Sequence, residues 1–316
     1  MTDRARTIFL GTGTFAVPVA QALAEHPHVV LLAVVTAPRR EDAKGKTIEP
    51  PVVAWANEHE IPTFRPARLR TPSAVAHIRS HAPDLLVLAD YGQIVPQELL
   101  DLPPHGALNL HPSLLPAYRG ATPISSAILA GDAETGVTLM RMDAGLDTGP
   151  IVAQERTNIE PRETATELEA RLAEMAAAVL TRELEAWLSD AISTTPQPDV
   201  GVSVTRSLRR EDGRLDPNKS AVQLERQVRA YQPWPGSFLE AGGLRIVVWR
   251  AHPVEADGSE AQPGALYRSS TGELTFSTPN GGLVLDEVKP AGGNRMTGAE
   301  LLRGRPNLTL KGGAKT

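Results

Sequence analysis

Cysteine is absent from the 316-residue sequence, which excludes disulfide bonds, thiolate metal sites and a thiol nucleophile. No apolar run approaches the ~18 residues that a transmembrane helix needs, and the amino terminus has only a short apolar run before Gly11. Such a terminus is typical of a first β-strand and not of a signal peptide. We therefore expect a cytoplasmic protein with no membrane partner and no disulfide-linked partner.

Neither sign of charge dominates strongly, since the formal net charge is -5, but the charge is unevenly distributed. Residues 1–188 contain 16 Lys and Arg against 23 Asp and Glu, a balance of -7, whereas residues 189–316 contain 16 against 14, a balance of +2. An acidic first part with a mildly basic second part fits an enzyme domain joined to a module that touches a polyanion. Ordinary surface variation would also produce an asymmetry of this size.

Apolar runs alternate with helix-like stretches up to residue 111, which predicts an α/β fold. Near-continuous Val, Leu and Ile runs such as residues 29–35 and 85–89 are typical of parallel strands that are buried on both faces. Because strand–helix–strand crossovers are right-handed, we expect a doubly wound, mostly parallel sheet. A long helix is predicted at 165–188, where apolar residues recur at helical spacing.

Residues 193–202 change this pattern, because they are polar and rich in proline and threonine, as linkers often are. Beyond them we predict one helix at 220–230, opened by a capping box of Ser220 and Gln223, and several short strands separated by glycine and proline. Short strands with turn signals indicate a small β-barrel. The predicted organisation is an α/β domain at 1–190, a linker at 191–205 and a barrel domain at 206–316.

The first glycine-rich turn, Gly11 to Ala16, fits the dinucleotide fingerprint G-x-G-x-x-G/A between a strand and a helix. That fingerprint requires an acidic residue at the end of the second strand to hold the ribose. The positions around Val34–Ala37 carry no carboxylate. A nicotinamide cofactor is therefore disfavoured, and the glycines are better explained by a tight turn whose helix terminus can still contact a substrate.

Asn109 and His111 form a more specific pair. Residues two apart on a strand point the same way, and Pro112 forces His111 into an extended conformation and ends the strand. The pair should therefore lie at the carboxyl end of a parallel strand, where ligands bind in open α/β sheets. A histidine and an asparagine satisfied at a strand end would be the better explanation for either residue alone.

A second glycine-flanked loop, residues 143–150, contains Asp143 and Asp147. Glycines on both sides give this loop unusual backbone freedom. Two aspartates four residues apart are also a common turn signal. Nothing in the local sequence distinguishes the two carboxylates.

These segments resemble the signatures of the folate-dependent formyltransferase family. Residues 109–124 read NLHPSLLPAYRGATPI and residues 145–149 read GLDTG. Further segments, including GTGTFAVP, YQPWPGS and VKPAGGNRMTGAELLRGR, are similar to the branch of the family that formylates methionyl-tRNA, and this similarity covers nearly the whole chain. A member acting in purine synthesis would end near residue 200.

The resemblance implies that the second domain is an OB-like barrel that binds tRNA. It implies transfer of the formyl group of 10-formyltetrahydrofolate to the α-amino group of initiator methionyl-tRNA, with no metal and no NAD. Asp147 should raise the pKa of His111 and relay a proton. We expect a monomer. The alternatives are a formyltransferase acting on an amino-sugar nucleotide and a catalytically silent nucleic-acid-binding protein, and the intact motifs argue against the latter.

The residue roles that the resemblance implies fall into three groups. The catalytic residues are Asn109, His111 and Asp147. The folate-binding residues are Ser113, Leu114, Leu115 and Pro116, with Tyr91, Gly92, Gln93 and Ile94 lining the pterin pocket, next to Asp90 where a small or apolar residue is expected. An inserted loop at 37–49 that contacts the tRNA acceptor end supplies Arg39, Arg40, Lys44 and Lys46. The basic second part adds further candidates for phosphate contacts, namely Arg206, Arg209, Arg210, Arg226 and Arg229.

Overall fold

A computed structural model describes residues 4–41, 47–255 and 261–308. The helices are α1 (Ala16–Glu25), α2 (Pro51–Glu58), α3 (Pro72–Ser80), α4 (Gln97–Leu100), α5 (Pro123–Ala130), α6 (Ala165–Leu188), α7 (Ala221–Ala230) and α8 (Gly298–Gly304). The strands up to residue 205 are β1 (Ala5–Gly11), β2 (Val29–Val35), β3 (Arg40–Glu41), β4 (Thr47–Ile48), β5 (Thr63–Phe64), β6 (Leu85–Ala89), β7 (Ala107–His111), β8 (Arg119–Gly120), β9 (Glu134–Arg141), β10 (Ile151–Asn158) and β11 (Val204–Thr205). The later strands are β12 (Ser237–Ala241), β13 (Leu244–Val254), β14 (Leu266–Arg268), β15 (Leu274–Ser277), β16 (Gly282–Pro290) and β17 (Met296–Thr297).

The chain folds into two compact units whose boundaries differ from the predicted domains. The first unit takes the chain up to Pro123, Ala133–Ile159 and Glu167–Arg206, and the second takes Ile124–Asp132, Glu160–Thr166 and the chain from Ser207 onward. Most of α5 and a short loop before α6 thus belong to the second unit, although they lie within the sequence predicted as the first domain. Contacts between segments distant in sequence decide this division, and the local composition carries no sign of it.

The first unit contains the predicted doubly wound sheet. Its seven strands have the order β10-β9-β7-β6-β1-β2-β5. The pairs from β7 to β5 are parallel, and β9 and β10 join antiparallel at the other end. All five residues of β6 are buried, as expected for a strand that is covered on both faces. The mostly parallel α/β prediction is confirmed.

Parallel pairing places the carboxyl ends of β2, β5, β6 and β7 at one edge of this sheet. His111 is the last residue of β7, and Asp90 and Tyr91 directly follow β6. The loops that leave this edge therefore contain most of the residues that the sequence marks as functional. This is the edge at which ligands bind in open α/β sheets.

The segment predicted as a linker, 191–205, is hydrogen-bonded into the first unit. Thr195 forms an antiparallel bridge with Ile151, and β11 pairs in parallel with β8. The oxygen of Ser203 accepts a hydrogen bond from the Arg119 N–H at 2.9 Å. Proline and threonine do break regular structure here, but their backbone groups pair with loops that the sequence cannot bring near them. The prediction of a linker is corrected to a segment that is part of the first unit.

The second unit contains an antiparallel sheet with the strand order β12-β13-β16-β15-β14, and β17 pairs with β16. Its inward-facing residues, such as Ile246, Val248 and Val288, form one core with residues of α7 and α8. Helix α7 begins after Ser220, and the predicted capping box with Gln223 is present. The sheet fits the OB-like expectation. Among the described residues no helix combines the length and apolarity that crossing a membrane requires.

Candidate active site

Strand β7 presents Asn109 and His111 on one face, while Leu108 and Leu110 are buried on the other. His111 is only 5% exposed. Asn109 is partly exposed, and within the described part of the chain its side-chain amide has no hydrogen-bond partner. The strand therefore places a buried imidazole next to a side-chain amide whose N–H groups are available to a ligand.

The two ring nitrogens of His111 have different surroundings. Nε2 lies 2.9 Å from the carbonyl oxygen of Tyr118, an acceptor that requires a proton on Nε2. Nδ1 lies 3.7 Å from Oδ2 of Asp147. In the neutral imidazole the lone pair is then on Nδ1, which can accept a proton, and the carboxylate stands beside the nitrogen that would become charged.

Burial lowers the pKa of His111, and this effect outweighs the upward influence of Asp147 and of the Tyr118 carbonyl. The sequence predicts that Asp147 raises this pKa. Its influence has the expected direction, but desolvation of the imidazolium is larger because the ring is enclosed. A lowered pKa favours the neutral imidazole, the form that is suited to act as a base.

Geometry separates the two aspartates that the sequence leaves equivalent. Oδ1 of Asp143 accepts hydrogen bonds from the N–H of Gly145 at 3.0 Å and from the hydroxyl of Thr148 at 2.7 Å, so Asp143 holds a turn. Asp147 adopts a left-handed φ of 52°, and its Oδ2 accepts a hydrogen bond from the N–H of Gly120 at 2.8 Å. Among the described residues, only Asp147 places a carboxylate oxygen within 4 Å of a His111 ring nitrogen.

Gln197 is a site residue that sequence reasoning missed. Its Nε2 donates hydrogen bonds to the carbonyl oxygens of Asp147 at 2.8 Å and Gly149 at 2.7 Å. Its Oε1 accepts hydrogen bonds from the Arg119 guanidinium at 3.1 and 2.7 Å. One amide thus links the loop that contains Asp147 to the loop after His111. Gln197 lies in the segment predicted as a linker, and no local pattern there marks it.

We expect Gln197→Ala to lower kcat by about tenfold to a hundredfold, because small misplacements of a reacting group have effects of this size. KM for both substrates should change little, and the pH profile of kcat should shift as Asp147 moves relative to His111. The matched control is Gln97→Ala, which removes an exposed glutamine that bonds only to Asp101. Unchanged kcat and an unchanged pH profile for Gln197→Ala would show that the link is dispensable.

The predicted folate segment, Ser113–Pro116, is held mostly by its own backbone and by the sheet. The Ser113 hydroxyl donates to the Ala117 carbonyl at 2.6 Å. The Leu115 N–H donates to the Thr138 hydroxyl at 3.1 Å, and the Gln154 amide donates to the Leu115 carbonyl at 2.9 Å. Ser113, Leu115 and Pro116 are buried and Leu114 is half-buried. The segment is therefore rigid, and Leu114 is the side chain with most surface left for a ligand.

The other predicted folate residues follow β6. Tyr91 and Gln93 have buried or hydrogen-bonded polar groups, whereas Gly92 and Ile94 are exposed. The Tyr91 hydroxyl is buried and has no hydrogen-bond partner in the part of the chain that the structure describes, and burial raises the pKa of this phenol well above its usual range. The Gln93 side chain is used within the chain, since its Oε1 accepts a hydrogen bond from the Leu69 N–H at 2.8 Å and its Nε2 donates one to the Pro66 carbonyl at 3.1 Å. Gly92 is exposed, and the Ile94 side chain is 80% exposed. Ile94 thus offers an apolar surface, whereas Gln93 is a positioning residue.

Asp90 occupies a backbone amide of the glycine-rich turn that a nucleotide phosphate would use. Its backbone adopts a left-handed φ of 49°, and its Oδ2 accepts a hydrogen bond from the Gly13 N–H at 2.9 Å. A Cβ at position 13 would collide with this carboxylate. The amide that a phosphate would use is thus occupied by the chain's own carboxylate, which further disfavours the nicotinamide hypothesis.

Desolvation, reinforced by the negative charge of Glu169, raises the pKa of Asp90 from 3.8 to about 6. The native state therefore binds a proton that the unfolded chain releases near pH 4, and its stabilising contribution is lost as pH rises through about 6. We expect Asp90→Asn to raise the free energy of unfolding by about 1 kcal/mol at pH 8 and to leave it unchanged below pH 4, a modest gain because the residue keeps exposed surface. Denaturant unfolding across this pH range measures it, with exposed Asp199→Asn as control. A gain that is equal at pH 4 and pH 8 would contradict the assignment.

The residues predicted to contact tRNA differ in their surroundings. Arg39 forms a 2.6 Å ion pair with Glu49. The Arg40 side chain, Lys44 and Lys46 lie outside the described residues. Arg206, Arg209 and Arg210 are exposed, as their predicted role requires.

Arg226 and Arg229 have structural partners in the second unit. Arg229 is largely buried and pairs with Glu225 at 2.6 Å and with the Glu163 carbonyl at 3.0 Å. The Arg226 guanidinium donates to the Ala130 carbonyl at 3.1 Å. These contacts assign Arg229 to the packing of this unit, and Arg226 to anchoring α5. A phosphate contact by either arginine stays a prediction.

No group of three or more His, Asp or Glu suited to holding a metal ion occurs in the described ranges. The candidate site consists instead of an amide, an imidazole and a carboxylate at the carboxyl edge of a parallel sheet. All three side chains belong to the first unit. They are positioned by β7, by the Gly120 amide and by Gln197.

Comparisons with known proteins agree along nearly the whole chain. Residues 5–184 match the family model for formyl transferase, and residues 207–306 match the model for the formyl transferase C-terminal domain. The chain is 43% identical over 303 residues to the methionyl-tRNA formyltransferase of Myxococcus xanthus, covering 96% of each chain. It is 44% identical over 301 residues to that of Thermus thermophilus, covering 95% of this chain and 96% of the relative.

Solved structures share the fold at low sequence identity. An N-formyltransferase from Helicobacter canadensis, in complex with folinic acid and dTDP-3-aminofucose, matches with a TM-score of 0.65 and 16% identity, covering 88% of this chain and 98% of that one. This likeness supports the architecture alone. Identity above 40% over almost the full length, together with matches to both domain models, shows that the chain is a member of the methionyl-tRNA formyltransferase family.

Proposed function

We propose that this protein transfers the formyl group of 10-formyltetrahydrofolate to the α-amino group of methionyl-tRNA. The observation that carries the proposal is the geometry of His111, whose Nδ1 lies 3.7 Å from Asp147 and which shares a strand face with Asn109. The near-full-length relatives named methionyl-tRNA formyltransferase support the choice of acceptor. Folate enters the reaction as a substrate that donates one carbon.

The reaction begins when the neutral amine attacks the formyl carbon on N10 of the folate. A C–N bond forms, and the carbonyl electrons move onto the oxygen, which becomes an oxyanion. The Asn109 amide has unused donors and can bind that oxyanion. One such donor typically contributes about 3–4 kcal/mol of transition-state stabilisation.

Proton transfer completes the exchange. The attacking nitrogen becomes cationic, and Nδ1 of His111 accepts its proton because Nε2 is occupied by the Tyr118 carbonyl. Asp147 stabilises the resulting imidazolium across 3.7 Å. The same proton then passes to N10 as the C–N10 bond breaks, which releases tetrahydrofolate and the formylated amine. Since the α-amino group of an aminoacyl ester titrates below the roughly 7.7–8 of a free terminus, no stronger base is needed.

The exposed arginines after the first unit support a tRNA acceptor over a small sugar nucleotide. Arg209 and Arg210 are exposed, and the second unit has the OB-like sheet that binds oligonucleotides in other proteins. The rival acceptor is the amino group of a sugar nucleotide. The fold match to a sugar N-formyltransferase is distant, at 16% identity.

The deciding experiment incubates the purified protein with 10-formyltetrahydrofolate and an equimolar mixture of methionyl-tRNA and a dTDP-amino sugar. We expect N-formylmethionine to accumulate on the tRNA, and no formylated sugar. Formylated sugar with unmodified methionyl-tRNA would overturn the proposal. Comparing initiator with elongator methionyl-tRNA in the same assay tests the expected preference for the initiator.

We further propose that the enzyme acts as a monomer in the cytoplasm. Every residue of the candidate site comes from a single chain and a single compact unit, so the chemistry requires no second copy. Aminoacyl-tRNA and reduced folate meet in the cytoplasm during protein synthesis. Sedimentation of the protein with and without tRNA tests the monomer.

A further inference from the structure

A second basic segment follows the edge strand β5 at the same end of the sheet as the candidate site. Residues 65–70 read RPARLR, and we call them the arginine loop. The side chains of Arg68 and Arg70 are exposed, and among the described residues neither has an ionic partner. Neither residue belongs to the inserted loop at 37–49 or to the basic second part of the chain.

The arginine loop is fixed in place. Leu69 is only 1% exposed, so it anchors the loop between two outward arginines. The Gln93 side chain forms two hydrogen bonds with the backbone of the loop, accepting one from the Leu69 N–H at 2.8 Å and donating one to the Pro66 carbonyl at 3.1 Å. Thr71 then caps α3 by accepting a hydrogen bond from Ala74. Cations on a fixed backbone lose less conformational entropy on binding than cations on a flexible one.

Glu49 joins the arginine loop to the inserted loop. Its Oε2 lies 2.6 Å from Nη1 of Arg65, and its Oε1 lies 2.6 Å from Nε of Arg39. One carboxylate therefore bridges two guanidiniums and leaves one positive charge. With Arg68 and Arg70 the cluster holds four arginines against one glutamate, although residues 1–188 as a whole have a balance of -7. Positive charge is concentrated here against an acidic background.

We propose that the arginine loop binds phosphates of the tRNA acceptor end, with Arg68 and Arg70 as the contacting residues and Glu49 as the brace for Arg65 and Arg39. This inference rests on the proposed function. Strand β5 lies four strand spacings from β7, roughly 19 Å at the usual separation of strands. A single-stranded acceptor end spans that distance with a few nucleotides while its aminoacylated terminus reaches His111.

The folate's glutamate is the other anion that could reach these arginines. Two observations favour tRNA. The residues predicted to line the pterin pocket follow β6, which lies next to β7 and three strand spacings from β5, so a folate bound there is nearer to β7 than to the arginine loop. Arg68 and Arg70 are also both exposed, on either side of buried Leu69, and a chain of phosphates offers an anion to each of them.

The test compares wild type with Arg68→Gln/Arg70→Gln. We expect KM for methionyl-tRNA to rise while kcat and KM for 10-formyltetrahydrofolate stay within twofold. The slope of log affinity for tRNA against log salt should become shallower by about 1.5, since each lost phosphate contact removes about 0.7–0.9. Arg68→Lys/Arg70→Lys should restore most of the salt slope, because lysine also contacts phosphate as a point charge.

The matched control is Arg4→Gln/Arg79→Gln. It removes the same charge at the amino-terminal edge of the sheet. Among the residues that the structure describes, Arg79 has one ion pair, an exposed contact with Glu98 at 3.6 Å, and such a pair contributes little to stability. If both double variants changed KM for methionyl-tRNA and the salt slope equally, the effect would come from the net charge of the protein and not from the arginine loop. That result would overturn the proposal. A raised KM for polyglutamyl folate with unchanged tRNA binding would assign the loop to the folate tail instead. Formylation of methionyl-tRNA by the wild type in the same assay tests the proposed function, independently of how the arginine variants behave.

Discussion

His111→Ala is expected to lower kcat by about three orders of magnitude and to leave KM for 10-formyltetrahydrofolate within a few-fold of wild type. Loss of a positioned general acid–base costs about 10²–10⁴ in rate. The imidazole acts on charge that exists mainly in the transition state, so the loss falls on kcat and not on ground-state binding. Steady-state kinetics with methionyl-tRNA measures both constants.

His28→Ala is the control for this variant, because His28 lies before β2 at the opposite edge of the sheet, where its ring lies against His26 and 3.6 Å from Glu185. It should have nearly wild-type kcat. Circular dichroism establishes that both variants fold. Turnover by folded His111→Ala comparable to wild type would remove the imidazole from the mechanism.

Asp147→Asn is expected to lower kcat by about a hundredfold or more while the loop keeps its shape. The amide oxygen of asparagine can still accept the Gly120 hydrogen bond, so the change removes charge and little else. Burial lowers the pKa of His111, although the negative charge of Asp147 acts to raise it. Without the charge of Asp147 the pKa of His111 should fall further, which weakens the imidazole as a base. NMR titration of the ring measures the shift directly.

Asp143→Asn provides the comparison within the same loop. Asp143 bonds to Gly145 and Thr148 and forms no ion pair with His111 in the described structure. It should affect stability more than the pKa of His111. A fall in the pKa of His111 confined to Asp143→Asn would mean that the other aspartate serves the imidazole.

Local patterns in the sequence predicted the main elements well. The helix predicted at 165–188 is α6 with the same bounds, and the capping box at Ser220 opens α7. These signals succeed because hydrophobic periodicity and caps act within a few residues. The pairing of Asn109 with His111 on one strand face follows from the two-residue period of a strand, which is also local.

Features that depend on distant partners escaped prediction. The stretch at 191–205 has the composition of a linker, yet its Gln197 joins Arg119 to the loop of Asp147. Arg229 has the composition signal of a phosphate contact, yet it is committed to Glu225. In each case a side chain's role depends on which groups the fold places within hydrogen-bond distance, and a one-dimensional pattern holds no such information.

The sequence by itself determined the α/β class, the family and the types of side chain available for formyl transfer. Only the tertiary structure decided that burial lowers the pKa of His111, that Asp147 and not Asp143 lies beside it, and that the Asp90 carboxylate accepts a hydrogen bond from the glycine-rich turn. Residue types are fixed by the chain, but pKa values and hydrogen-bond partners are set by burial and by neighbours brought together from distant positions.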